Sequence, residues 1–273
     1  MNERFSRNEA LFGAEGQKRI EEARVALAGV GGLGSHVAQQ LAYLGSLEIT
    51  LIDFDYVTES SLNRLIGAVD SDIAGKTPKI MVAKRLIEAV NPKAHVVAIQ
   101  APLDSPEAIE ALQRVDLVFG SVDRDLARLK LTELTARLTL PYFDLASDTG
   151  GEGEEAWYGG HVVFANGDGC LSCLGLLDQD EINRDSMSPE ERDVHARIYG
   201  VDRNALAGTG PMVVSVNGVV ASLACTEFMA FVTGMRPPAR YLVYRGERPG
   251  VGRSTDEPAN GCYFCAGLRG AGL

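Results

Sequence analysis

Short apolar runs alternate with amphipathic stretches through the first half of the chain. Residues 25–30 (VALAGV) form an unbroken apolar run that ends in glycines, which predicts a buried strand. Residues 34–45 then carry Val37, Ala38, Leu41 and Leu44 at helical spacing, with Gly45 placed as a C-cap. A second strand is expected over 47–53 (LEITLID), and a helix over 75–90 that stops at Asn91-Pro92. The pattern continues as a strand (95–100), a helix (106–114), a strand (116–122), a helix (125–138) and a strand (141–146). Strand and helix in alternation predict an α/β fold, a Rossmann-like parallel sheet with helices on both faces.

The second half has a different texture. Strands are expected over 161–166 and 241–245, and a long, mostly apolar helix over 211–234. Residues 178–210 between them are charged and weakly periodic; a loop of that length inside a compact domain usually serves function. The expected division is a single domain over 1–273. It has an N-terminal arm or helix (1–24, with Leu11, Phe12 and Ile20), a core (25–166) and a C-terminal part (167–273) that includes the crossover loop.

Composition narrows the classes. With 45% hydrophobic and 23% charged residues, the chain has the balance of a globular protein. No stretch of about 18 apolar residues stands out, so no membrane-spanning helix is expected. The start, MNERFSRNEA, lacks an apolar run after its charges, so a cytoplasmic location is expected. The formal charge of −11 argues against a nucleic-acid partner. Five cysteines, an odd count without an export signal, make a poor disulfide framework.

The first strand runs into Gly29-Val-Gly31-Gly32-Leu-Gly34, a G-x-G-x-x-G between a strand and a helix. Such glycines let the backbone turn tightly and approach a phosphate, and the helix start offers free N–H groups. The second strand ends at Asp53, where a carboxylate suits ribose hydroxyls. NAD-dependent oxidoreductases share this loop. However, Asp53 is followed by Asp55, Asn63, Arg64, Lys76 and Lys79, and cations there suit a triphosphate better than a nicotinamide.

Four cysteines form two pairs, Cys170-x-x-Cys173 and Cys262-x-x-Cys265, set in nearly repeated turns. Two C-x-x-C turns suit a tetrahedral Zn–S₄ site, closed and therefore structural, and their doubling favours this over the alternative, a redox role for each pair. The fifth, Cys225, falls in the apolar helix and reads as a buried thiol. Trp157 is a candidate either for a substrate groove or for packing, and His161 for a structural role.

These motifs together resemble the ubiquitin-activating-enzyme superfamily in its small bacterial MoeB/ThiF/HesA form. Arg4-Phe-Ser-Arg7 with Phe12-Gly13 and Gly16-Gln17 is similar to that family's N-terminal segment. The glycine loop, Asp53-Phe-Asp55, Arg64, Lys79 before Asn91-Pro92, Asp123 and the paired cysteines match in turn. The resemblance implies ATP- and magnesium-dependent adenylation of the C-terminal glycine of a ubiquitin-like or sulfur-carrier protein. It implies that Arg64 and Lys79, with Lys76 as a rival, hold the polyphosphate. It further implies that Asp123 carries Mg²⁺, and that Arg7 reaches the other subunit of a homodimer. Three departures stand out. Ser61-Leu-Asn63-Arg64-Leu65 replaces N-L-x-R-Q, Asp123-Arg124 replaces D-N, and residues 204–211 lack the cysteine nucleophile of many members. The chain is therefore expected to stop at the acyl-adenylate. It would then pass the carboxylate to a sulfur donor or a conjugating partner, or to a hydroxyl such as Ser186, Ser188 or Thr209. A non-catalytic nucleotide-binding module is the remaining alternative.

Overall fold

The computed structural model describes residues 3–151, 155–188, 190–191 and 212–273. One eight-stranded sheet runs through both halves, in the order β3-β2-β1-β4-β5-β6-β7-β8. Its parallel part is β1 (Arg24–Ala28), β2 (Glu48–Ile52), β3 (His95–Ile99), β4 (Leu117–Gly120) and the first half of β5 (Tyr142–Gly150). β6 (Trp157–Ala165), β7 (Tyr241–Arg245) and β8 (Gly250–Arg253) add on antiparallel. β1 sits between β2 and β4, so the chain switches direction there. In open α/β sheets, ligands bind at the carboxyl ends of the strands beside such a switch.

Alternation along β1 explains the two-sided core. Val25 and Leu27 face one side, where they meet α2 (Gly32–Leu44), α4 (Lys79–Val90) and α8 (Val214–Thr233). Ala26 and Ala28 face the other, with α5 (Pro106–Leu112) and α6 (Asp125–Arg137). Phe119, Phe143 and Phe228 are fully buried and stack near the middle of the first side. The N-terminal segment forms α1 (Ser6–Glu22), with Ile20 buried in the same cluster.

The sheet is longer and the helices are more divided than the pattern predicts. The helix expected from Gly75 is two pieces, α3 (Asp70–Ala74) and α4, which begins only at Lys79. Lys76 lies in the left-handed region (φ 46°), and Pro78, whose ring disfavours helix in the residue before it, stands at the N-cap of α4. β5 and β6 extend beyond their apolar runs as a hairpin that pairs Gly150 with Trp157. Within the charged stretch α7 (Gln179–Ser186) forms, capped by Asp178, which accepts from the N–H groups of Asp180 and Glu181. Residues 192–211, including the expected nucleophile stretch and Thr209, lie outside the described residues.

Contrary to the expectation from the sequence, α8 is long and apolar enough to cross a membrane by length and composition. In the fold it is a core helix. It packs on α2, α1 and the sheet, and buries Val220, Ala221, Ala224 and Phe228. Its one buried carboxylate, Glu227, is held by Arg236 at 2.6 and 2.7 Å and by the Ala239 N–H at 2.7 Å.

Candidate functional site

The glycine loop folds back on itself at the carboxyl end of β1. Gly29 has φ 84° and donates its N–H to Ile52 O at 2.9 Å. A Cβ on Gly34 would sit 2.1 Å from Gly29 O, so no larger residue fits there without moving backbone. Above Gly31, by contrast, a Cβ would meet nothing within 4 Å. The loop is thus closed beneath and open above, with the head of α2 facing the opening. A helix start in this setting is an anion site, because its first N–H groups have no intrahelical partner.

Asp53 completes the loop. Its carboxylate accepts from the Val30 N–H at 2.6 Å and from the Asp55 N–H at 2.8 Å. Burial raises the carboxyl above its ordinary value, while these N–H groups and the charge of Lys79 pull the other way. Each oxygen keeps a second lone pair, which is what a ribose hydroxyl needs.

Lys76 and Lys79 are the two lysine candidates for binding a polyphosphate, and the backbone separates them. Lys79 opens α4 with its Nζ 2.6 Å from Asp55 Oδ2, and only 18% of its side chain is exposed. Lys76 is exposed on the preceding turn. The structure therefore brings Lys79, not Lys76, to the Asp53–Asp55 corner. Arg64 donates to Ser60 O and to Asn63 Oδ1, and its stem lies against the head of α2 beside Gly32. Ser35 ties the two segments together, since its Oγ accepts the Ile66 N–H at 3.0 Å.

The family departures have local reasons. Ser61 is buried and closes the turn through its hydroxyl, which bonds Thr58 at 3.0–3.1 Å. Leu65 packs with Val57 and Val82 in a small apolar cluster. Arg124 pairs with Asp185 of α7 at 3.4 Å.

Asp123 is exposed on the turn from β4 to α6 and has no partner among the described residues. A free carboxylate at the end of a central strand fits a hard cation such as Mg²⁺. Arg7 is not brought to this cluster. It lies two residues from Phe5, which packs on Gly45 at the far end of α2, about 20 Å from Gly32.

Behind Asp123 lies a buried polar network that the sequence did not announce. Arg128 donates to Asp144 at 2.6 and 3.2 Å and to Asp125 at 2.9 Å, with His161 Nε2 3.0 Å away. Tyr142 adds its hydroxyl to Asp144 at 2.7 Å. Burial pushes the Asp144 carboxyl up, but the Arg128 guanidinium and His161 outweigh it and hold it well below the usual carboxylate range. His161 is therefore structural, as expected. Trp157 is 45% exposed, with its indole laid against Gly150. Asn217, which no motif marks, is also fully buried on α8 against Gly32. Its one signal was an amide in an otherwise apolar run.

The four paired cysteines converge. Cys170 Sγ lies 3.7 Å from Cys173 Sγ and 3.6 Å from Cys262 Sγ, and Cys173 Sγ lies 4.0 Å from Cys265 Sγ. All four sulfurs fall within 4.8 Å of one another. A tetrahedron with Zn–S bonds of about 2.3 Å has edges of about 3.8 Å, so the donor set and spacing fit zinc. Burial pushes the Cys170 thiol up, and a cation that binds it as the thiolate would release its proton. Burial likewise lifts Cys225 to about 12, away from any nucleophilic role. Ser186 donates to Ile182 O at 2.7 Å, and Ser188 accepts the Glu191 N–H at 3.2 Å, so both hydroxyls serve local helix structure.

Comparison with known proteins agrees with this geometry. Residues 5–263 match the model of the ThiF family. The chain is 28% identical to the sulfur carrier protein ThiS adenylyltransferase of Escherichia coli, covering 97% of this chain and 95% of that protein. It is 26% identical to the molybdopterin-synthase adenylyltransferase of the same organism, over 84% and 80% of the two chains. Among solved structures it resembles E. coli MccB with AMPCPP and MccA at a TM-score of 0.71 and 21% identity, over 97% of this chain and 74% of that one. The dehydrogenase alternative falls away with these matches. The chain belongs to the ThiF family, the family of these adenylyltransferases.

Proposed function

We propose that this protein uses ATP and Mg²⁺ to adenylate the C-terminal glycine carboxylate of a ubiquitin-like or sulfur-carrier protein, releasing pyrophosphate. The single observation that carries the reading is the open anion cradle at Gly31–Gly32, with Asp53, the Lys79–Asp55 pair and Arg64 around it. Relatives named for ThiS and for a sulfur carrier protein support the substrate class, and MccB with AMPCPP and MccA supports ATP and a peptidic acceptor. The unit is a single domain, with arm 1–24, core 25–166 and zinc-tied part 167–273. It acts in the cytoplasm as a homodimer in which Arg7 serves the neighbouring site.

The chemistry explains the residues. A carboxylate attacking the α-phosphate brings negative charge onto negative charge, so positioning and neutralisation are the enzyme's main tasks. The head of α2 and its glycine loop hold the phosphates, and Asp53 holds the ribose. Arg64, with Asn63 beside it, and Lys79 take the polyphosphate oxygens. Lys79 is held ready by Asp55, and substrate phosphate would exchange for that partner. Asp123, with Asp55, would hold Mg²⁺, which supplies charge neutralisation across the phosphates when bound. No thiol among the described residues is placed to take the acyl group, so the acyl-adenylate is handed to a sulfur donor or a partner's cysteine.

ATP–pyrophosphate exchange with a carrier protein ending in Gly-Gly tests the proposal. Exchange that requires both carrier and Mg²⁺ is expected. ATP binding without exchange for any such carrier would instead favour a non-catalytic module.

A further inference from the structure

At the head of α2 one side chain has a donor and nothing to give it to. Asn217 is 0% exposed, and its Nδ2 has no hydrogen-bond partner among the described residues. The other end of the same amide is fixed, because Ser147 donates to Oδ1 at 2.7 Å. A Cβ on Gly32 would lie 2.3 Å from Nδ2, and the same point is 3.3–3.4 Å from the Cδ and Cγ of Arg64. The donor therefore sits between the first residue of the anion-binding helix and the stem of the phosphate-facing arginine. A buried amide left unpaired destabilises a fold, because it gives up water and gains no bond in return. Leucine or valine, which α8 uses freely around it, would avoid that cost.

We propose that Asn217 Nδ2 is a ligand-binding donor, which takes an anionic oxygen of the reacting pair at the head of α2. The inference rests on the adenylation reading and adds a residue to it. Arg64 lies over the amide while it bonds Ser60 and Asn63. A turn of Arg64 toward a polyphosphate would clear its stem from Gly32 and leave the amide beside the open side of the loop at Gly31. The anionic oxygen has two sources, the α-phosphate of the nucleotide and the carboxylate that attacks it. An uncharged donor fixed by Ser147 is suited to orientation, while Arg64 and Lys79 supply charge.

Two substitutions test it. Asn217→Asp keeps the acceptor for Ser147 and replaces the free donor with an oxygen. Asn217→Leu removes the polar group and fills the space. Binding of ATP and AMP is measured by calorimetry, exchange is measured against carrier concentration, and melting temperature is recorded for each variant. A donor that takes an anionic oxygen is worth roughly tenfold or more in affinity. If the oxygen belongs to the α-phosphate, both variants lose at least that much affinity for ATP and for AMP. If it belongs to the carboxylate, nucleotide binding holds and the carrier KM rises by a similar factor. In either case Asn217→Leu removes the unpaired donor together with the Ser147 bond, two opposing effects, so its melting temperature stays close to the parent's. Variants that match the parent in nucleotide binding and carrier KM overturn the proposal. So does a loss of affinity seen only together with a lower melting temperature in both variants. A parent protein that binds no ATP refutes the adenylation reading itself, a separate and recognisable failure.

Discussion

Replacing Arg128 with methionine removes the guanidinium from a buried carboxylate and leaves it only Tyr142 and His161. Asp144 is 1% exposed, and Arg128 holds it through two hydrogen bonds, at 2.6 and 3.2 Å. Methionine approximates the stem of arginine and leaves the charge behind, so the change isolates the electrostatic part. Stranding one partner of a buried ion pair costs about 3–5 kcal/mol. In a chain of this size that lowers the melting temperature by roughly 10 °C. Asp144→Asn in the same background keeps an acceptor for Tyr142 and removes the stranded charge, and should recover at least half of the loss. The pH dependence has a definite sign. In the parent, Asp144 is held low and contributes stability above about pH 4, which fades as pH falls. In Arg128→Met, burial without the guanidinium raises the carboxyl, so the penalty is greatest at neutral pH and relieved by acid. The gap between parent and variant therefore narrows toward pH 4. Thermal melts across that range measure it. A loss below about 1 kcal/mol, or no recovery with Asp144→Asn, would refute the view of this network as a tightly coupled buried pair. Because Arg128 also holds Asp125 at the start of α6, the variant should shift the Asp123 turn and weaken Mg²⁺-dependent exchange.

Other substitutions probe the rest of the account. Lys79→Ala should reduce exchange by about 10²–10³, the usual loss when one charge-stabilising donor is removed, while Lys76→Ala stays within about threefold. Equal effects in the two would remove the structural reason for preferring Lys79. Replacing Cys170 and Cys262 with serine, or adding a strong chelator, should abolish one equivalent of bound zinc and lower the melting temperature; retention of a full equivalent in the double variant contradicts the four-sulfur site. Asp72 is held at about 2, first by its hydrogen bonds from Arg85. Its depressed carboxyl contributes stability above about pH 4 that is lost as pH falls toward 2. Asp72→Asn should therefore cost about 2 kcal/mol at pH 7 and much less near pH 2, read by denaturant melts at both.

The nucleotide half was legible in the sequence because each of its devices is local. The apolar run of β1, the glycines and the period of α2 lie within about 20 residues, and Asp53 is marked by the end of the next strand. The cysteine pairs were legible for another reason, since two C-x-x-C turns carry their geometry in their spacing. What escaped depends on partners distant in sequence. β8 is exposed at every residue and exists because β7 pairs with it, so no apolar alternation announces it. α7 is polar throughout apart from Ile182, and a period cannot be read from one buried position. The Arg128 network joins α6 to β5 and β6, and Asn217 meets Gly32 across most of the chain's length; neither leaves a pattern within a short window. Asp53 was anticipated as a ribose ligand, and its second task, closing the loop through the Val30 N–H, became visible only in the fold.

The most direct test of the central claim follows two labels on ATP in the presence of enzyme, Mg²⁺ and a carrier ending in Gly-Gly. Adenylation predicts that label in the α-phosphate appears on the carrier's C-terminal carboxylate, while label in the γ-phosphate leaves as pyrophosphate. Transfer of the γ-label to carrier or water, with the α-label remaining on a nucleoside diphosphate, would contradict the account.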